Sequence, residues 1–264
     1  MNLPELSVAR HLAERYSAHS FVIAAPEDKV LGHASLPPDW FGVITNGIAV
    51  RMVVDPESYE FKNVGPHLPG DLLFPQTITR ALETYELSTG AARPEAPGSH
   101  SDAGDVDGFH EQTIQTLTPV KVLAFDASSL LSLLLRDPKA SLAFANLLAT
   151  ALAQRQRRGV YETGSAPQRV AYLLHRLYEA EGGIPYSQES MAQALGISRE
   201  VVTETLRILK EAGIVSTTKQ GRRSPIKIED PERLKRVSLH NGINALKGQI
   251  ESAQQPLLPT LMEP

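Results

Sequence analysis

A chain of 264 residues exceeds the usual domain size of about 100–200 residues, so two domains joined by a connector are expected. With 42% hydrophobic and 21% charged residues it is neither collagen-like nor broadly disordered, and without cysteine it has no disulfide, thiolate-held zinc, iron–sulfur cluster or cysteine nucleophile. A formal net charge of −4 leaves nucleic-acid binding open, because a local basic patch decides that and not the total.

Residues 1–19 carry charges throughout and lack the apolar core and cleavage site of a secretory leader, and nowhere do about 18 apolar residues run uninterrupted. A cytoplasmic protein with no membrane partner is expected. From residue 21 to 87 the apolar residues are mostly β-branched or aromatic and are punctuated by Gly, Pro, Asn and Asp, the pattern of short antiparallel strands. The clearest pair is 43–45 and 48–54 around Asn46-Gly47, which tolerate the positive φ of a tight hairpin. Residues 61–73, with Pro69-Gly70-Asp71 near their end, predict a further strand and turn. Residues 88–108 hold almost nothing that can be buried and predict a long mobile loop. Strand character resumes at 113–125, where Ile114, Leu117, Val120, Val122, Leu123 and Phe125 alternate with polar residues up to Asp126, a helix cap.

The spacing then becomes helical. Leu130, Leu131, Leu133, Leu134 and Leu135 predict a short helix closed and restarted at Asp137-Pro138. A long helix follows over 139–161 with two apolar stripes, Leu142, Ala145, Ala149 and Leu152 on one and Phe144, Leu147, Leu148 and Ala151 on the other. Two faces need two partners, the strand domain for one and the same helix of a second subunit for the other, unless the helix is buried within one chain.

In the last third, Ser165 to Gln168 has capping-box spacing, and Val170, Leu173, Leu174 and Leu177 share one helix face until Gly182-Gly183. Ser187 then caps a short helix containing the small Ala192, Gly196 supplies a sharp turn, and Ser198 caps a second helix held inward by Val202, Leu206 and Leu209. That is a helix-turn-helix. Residues 214–216 and 226–228, joined by a basic turn with Lys219, Arg222 and Arg223, predict a hairpin of the kind called a wing. From 198 to 227 seven cations, Arg199, Arg207, Lys210, Lys219, Arg222, Arg223 and Lys227, face three carboxylates, Glu200, Glu204 and Glu211, an excess of +4. Such a patch attracts phosphate and makes binding fall with salt.

A β-roll, a long helix and a winged helix containing Gln188-Glu189 and Gly196-Ile197-Ser198-Arg199-Glu200 together resemble the Crp/Fnr superfamily of bacterial transcription regulators. The resemblance runs over residues 21–237 and is strongest in the Leu-Lys-Glu-Ala-Gly-Ile-Val exit at 209–215 and the closing Ile-Glu-Asp-Pro-Glu-Arg-Leu at 228–234. In the first half it rests on Asn46-Gly47, on 68–71 and on 117–126. It implies an α+β protein: an N-terminal antiparallel, jelly-roll-like β-roll (1–126), a helical connector with a long dimerisation helix (127–163), a C-terminal winged helix-turn-helix (164–237) and a tail (238–264) whose Ile243, Leu246 and Ile250 have helical spacing. The partners implied are double-stranded DNA, a second copy meeting through Leu142, Ala145, Ala149 and Leu152, and RNA polymerase. Arg199 and Glu200 stand where family members read base edges, guanidinium to guanine and carboxylate to the cytosine amino group, with Thr203 facing the same groove. Glu204 replaces what is commonly Arg; it either alters the half-site or turns away to pair with Arg207 at i+3. Ser187, Ser198, Lys219, Arg222 and Arg223 are assigned to phosphate.

Cyclic-nucleotide-binding relatives carry Gly-Glu soon after a strand and Arg-Ser about ten residues later. Here the candidate effector pocket has Gly70-Asp71 and Arg80, with His110-Glu111-Gln112 where the strand restarts, so ordinary cyclic AMP binding is not expected. His67, His100 and His110 with Asp102, Asp105 and Asp107 do not make a calcium loop or a cupin site, so no metal or other cofactor is expected. No acid, base or metal set at helix or strand spacing supports an enzyme. The alternative to a regulator competent by itself is a sensor whose DNA binding depends on a non-nucleotide ligand.

Overall fold

The structure is a computed structural model that describes residues 3–31, 40–55, 57–58, 61–75, 77–78, 81, 84, 113–157, 163–217, 225–239 and 242–254. The expected loop at 88–108 and the candidate residues Arg80, Lys219, Arg222 and Arg223 lie outside them. The chain forms two compact units, Met1–Arg157 and Arg158–Pro264.

The first unit opens with a helix that the strand-oriented reading of the sequence passed over, α1 (Pro4–Arg15), started by Pro4 and held by Leu6, Ala9 and Leu12, all buried at three-residue spacing. Eight strands follow: β1 (Ser20–Ala25), β2 (Val30–Leu31), β3 (Trp40–Asn46), β4 (Ala49–Val54), β5 (Phe61–His67), β6 (Leu72–Leu73), β7 (Thr113–Thr116) and β8 (Val120–Asp126). They make two antiparallel sheets, ordered β1-β8-β3-β6 and β2-β7-β4-β5. The chain passes repeatedly from one sheet to the other, which is a jelly roll.

That topology corrects two expectations. Residues 43–45 and 48–54 are not paired across Asn46-Gly47: β3 pairs with β8 and β6, while β4 pairs with β7 and β5. Likewise 113–125 is not one strand, because it breaks at residues 117–119 and changes sheet. The two breaks lie against each other. Ile48 N–H donates to Thr118 Oγ1 (2.8 Å) and Leu117 N–H to the Ile48 carbonyl (2.9 Å), so one bent ribbon folds over the other. Gly47 has φ +94°, and a Cβ there would sit 2.4 Å from the Pro119 carbonyl oxygen, so glycine serves a corner between sheets and not a hairpin. Between the sheets lie Trp40, Ile44, Leu73, Phe74, Ile114 and Val122, all fully buried.

Asp126 caps α2 (Ala127–Leu134) by accepting Ser129 N–H at 2.7 Å. Asp137 accepts Lys139 N–H at 2.9 Å as α3 (Pro138–Arg157) begins, and Tyr16 O–H also donates to Asp137, tying the end of α1 to the start of α3. Phe144 and Leu147 of α3 are buried, with Phe144 edge-on to Phe41 (5.7 Å between ring centres), which itself stacks on Phe125. The inward stripe of α3 therefore covers the β-roll as expected, and α1 shares that cover.

In the second unit, α4 (Ala166–Glu181) ends at Gly182 in the left-handed region, φ 71°. The expected capping box is not formed: Ser165 makes no side-chain capping bond, and Gln168 Nε2 instead donates to the buried Ser238 carbonyl at 3.0 Å. A buried carbonyl left without a donor costs more than a part-exposed cap left unmade. Then come α5 (Gln188–Leu195), α6 (Arg199–Glu211), the antiparallel pair β9 (Val215–Thr217) and β10 (Ile226–Ile228), α7 (Pro231–Leu239) and α8 (Gly242–Gln254). The tail spacing is realised as α8, which buries Ile243 and Leu246 and packs on α4, α6 and α7.

Candidate nucleic-acid interface

Two helices joined by a glycine turn place one exposed helix face. Ser187 Oγ accepts Ser190 N–H at 3.0 Å and so starts α5, and Gly196 ends it at φ 60°, sending the chain directly into α6. On α6, Val202, Leu206, Ile208 and Leu209 are buried, and Thr205 satisfies its buried hydroxyl on the Val201 carbonyl at 2.7 Å. The opposite face is exposed. Arg199, Glu200, Thr203 and Glu204, the four residues read from the sequence as base-contacting, line one shallow surface concavity there.

Neighbouring groups act on Glu200, Thr203 and Glu204 of that face. Thr203 Oγ1 stands 2.8 Å from Gln188 Oε1 and 2.9 Å from the Arg199 carbonyl, so its one hydrogen serves acceptors on both helices and links the start of α5 to α6. Ser198 occupies the N-cap position but makes no capping bond. The Glu200 carboxylate is held below its usual pKa, first by its own backbone N–H and then by the nearby Ser198 hydroxyl. Glu204 takes the second of the two arrangements anticipated for it: Arg207 grips both its oxygens, at 2.8 and 2.7 Å, and reaches Glu211 at 2.6 Å. The fork lowers the Glu204 pKa and raises that of Arg207. Lys227 pairs with Glu229 at 2.9 Å. Two of the seven cations counted in the sequence are thus shared with carboxylates, while Arg199 and Lys210 stand exposed on α6. The sequence anticipated the Glu204–Arg207 pair at i, i+3 but not the reach of Arg207 to Glu211 or the Lys227–Glu229 pair along the wing strand.

The other candidate residues fall in the first unit. Gly70, at φ 93°, and Asp71 form the turn before β6, where Asp71 is buried and its Oδ2 accepts Leu68 N–H at 2.6 Å. On α3, Leu142 and Leu152 are 66% and 60% exposed, and Ala145 and Ala149 are exposed beside them. These four form the outward stripe the sequence predicted. Among the described residues no three His, Asp or Glu side chains gather to hold a metal ion, and no helix is long and apolar enough to cross a membrane. His100, His110, Asp102, Asp105 and Asp107 are outside the described residues.

Comparison with known proteins agrees with this geometry. Residues 168–237 match the family model of the Crp-like helix-turn-helix domain. These residues therefore form a Crp-like helix-turn-helix domain. Beyond that domain, the chain is similar in fold to several solved structures. FixK2 from Bradyrhizobium japonicum aligns at 16% identity over 82% of this chain and 96% of its own, with a TM-score of 0.52. A regulatory protein from Silicibacter pomeroyi, named for cAMP binding, aligns at 20% identity over 89% and 92%, with a TM-score of 0.50. A Crp/Fnr-family transcriptional regulator from Thermus thermophilus aligns at 18% identity over 83% and 98%, with a TM-score of 0.47. At such identities the first two show a common fold. No curated protein matches the sequence.

Proposed function

We propose that this Crp/Fnr-type regulator is a homodimer that reads a near-palindromic DNA site, one α6 per half-site, without binding cyclic AMP. The observation that carries the reading is the exposed face of α6, where Arg199, Glu200 and Thr203 stand together at the helix N-terminus, with Glu200 and Thr203 held by neighbouring groups. That is the end of a recognition helix that reaches base edges. Arg199 reads guanine and Glu200 accepts from a cytosine amino group. Ser187, Ser198, Lys219, Arg222 and Arg223 hold phosphate and set register without specifying sequence. With Glu204 held by Arg207, the half-site differs at the base pair that an Arg in its place would read. The exposed stripe Leu142, Ala145, Ala149 and Leu152 supports pairing of two α3 helices, since an apolar helix face this long is normally covered.

The Silicibacter protein is named for cAMP binding; this chain departs from such a pocket. Asp71 spends its carboxylate on its own turn. Phe74 and Pro75 follow β6, and Phe74 is fully buried with φ 52°, a conformation that favours glycine, edge-on to Trp40 at 4.9 Å. Neither offers a carboxylate to a ribose.

Selection from a random duplex library with purified, ligand-free protein tests the proposal. Recovery of a palindrome with half-sites about one helical turn apart is expected. A pool that stays random without ligand and becomes ordered when cell metabolites are added would replace it with a sensor that needs an effector.

A further inference from the structure

Two threonines of α6 turn their hydroxyls back onto the helix, and they differ in what that leaves uncovered. Thr205 bonds the Val201 carbonyl and is buried whole, at 1% exposure. Thr203 lies 2.9 Å from the Arg199 carbonyl and 2.8 Å from Gln188 Oε1, yet the residue is exposed. A threonine hydroxyl carries one hydrogen, and both acceptors within its reach here belong to the protein. Turning the Gln188 amide over leads to the same place: its nitrogen then donates to the hydroxyl oxygen, whose hydrogen goes to the Arg199 carbonyl. In either arrangement the polar half of Thr203 is spent within the protein, and what it has left to offer outward is its methyl group.

A β-branched side chain has one stiff torsion, so holding its oxygen from two sides holds its methyl group as well. Part of that hold comes from outside α6. Ser187 caps α5 by accepting Ser190 N–H at 3.0 Å, and this fixes the half-buried Gln188 at the first position of α5, bonded across to Thr203. In a major groove the complement of a threonine methyl is the 5-methyl group of thymine. We propose that Gln188 is a positioning residue that holds Thr203 with its methyl group toward the groove, and that Thr203 there reads a thymine. This rests on the reading of α6 as the recognition helix. Thr203 follows Arg199 by one helical turn, a rise of about 6 Å, so at about 3.4 Å per base pair the thymine lies within about two base pairs of the guanine read by Arg199.

The test uses the full-length protein and its selected operator, in which each thymine of the half-site is replaced in turn by deoxyuridine, a base that lacks only the methyl group. Affinity is read by fluorescence anisotropy. In the wild type a position within about two base pairs of that guanine is expected to lose about fourfold per half-site, the worth of one methyl group taken out of water. Thr203→Ser keeps the hydroxyl and should abolish this discrimination. Gln188→Leu should diminish it, and Gln188→Glu, whose carboxylate still accepts from Thr203, should preserve it while lowering affinity for both duplexes alike. Each readout is a ratio taken on one protein, so a variant that merely folds less well leaves it unchanged. A wild type indifferent to deoxyuridine near that guanine, or a Thr203→Ser protein that discriminates as the wild type does, overturns the inference and leaves α6 in the groove. Undiminished discrimination in Gln188→Leu overturns the role given to Gln188. A wild-type protein that selects no operator overturns the reading of α6 itself.

Discussion

His175 of α4 is a buried imidazole whose Nδ1 has no hydrogen-bond partner and whose Nε2 lies 3.5 Å from Glu179 Oε1. Burial lowers its pKa from 6.5; Glu179 and Glu232 pull it up, Lys235 and Arg176 push it down, and burial prevails. Folded His175 therefore binds a proton less readily than unfolded His175. Stability should be complete above pH 6.5 and decline as the pH falls below that value, because the unfolded state gains protons the native state refuses. Denaturant unfolding at about pH 7.5 and about pH 5.5 measures this, and His175→Gln should flatten the difference. At this scale the sequence was partly legible. Arg199, Glu200 and Thr203 could be placed on one face by their spacing alone, since α6 is a regular helix. The partner of Gln168 could not: it takes a backbone carbonyl seventy residues away over its local cap, a choice made by the folded surroundings.

Among elements, the corner at Gly47 most constrains the jelly roll. Gly47→Ala should destabilise the protein by about 2 kcal/mol or more, since it adds both a positive-φ penalty and a collision with the Pro119 carbonyl. Gly182→Ala is the control: it shares a positive φ but meets nothing within 4 Å, so a loss of about 1 kcal/mol is expected. Equal losses from the two substitutions, measured by denaturant unfolding, would refute the close crossing. The sequence signalled a turn at Asn46-Gly47 correctly, because the residue type reports φ. Which strands pair across it depends on contacts far along the chain, here between 47–48 and 117–120, and turn chemistry carries no trace of those. Helix α1 was overlooked although Leu6, Ala9 and Leu12 have helical spacing; its burial against α3 is a tertiary fact that gives the spacing its meaning.

At the scale of the whole molecule, the proposed function gives the two compact units two tasks, assembly and reading. If the proposed dimer forms through the α3 stripe, Leu142→Glu with Leu152→Glu, which places charges on that exposed apolar face, should convert it to monomers in sedimentation velocity while leaving the β-roll folded, because both side chains point away from its core. A sedimentation coefficient unchanged from a dimeric wild type would move the interface elsewhere. Loss of the dimer should also weaken operator binding far more than binding to a half-site, since paired half-sites act through effective concentration. The domain order and helix-turn-helix were visible in the sequence because they rest on local spacing and turn residues. The charge pattern of the reading face was legible in part: helical spacing offered the Glu204–Arg207 pair as one of two arrangements, while the further reach of Arg207 to Glu211 shows only in the folded helix.

The central claim is that α6 enters the major groove with Arg199 on guanine. Methylation interference on the selected operator tests it directly, since a methyl group on guanine N7 blocks a bidentate guanidinium. Strong interference is expected at one guanine in each half-site for the wild type. Loss of that interference is expected in Arg199→Ala, with specific affinity lower by about 1–3 kcal/mol and random-DNA affinity little changed. Interference that is absent in the wild type, or identical in Arg199→Ala, would contradict the claim.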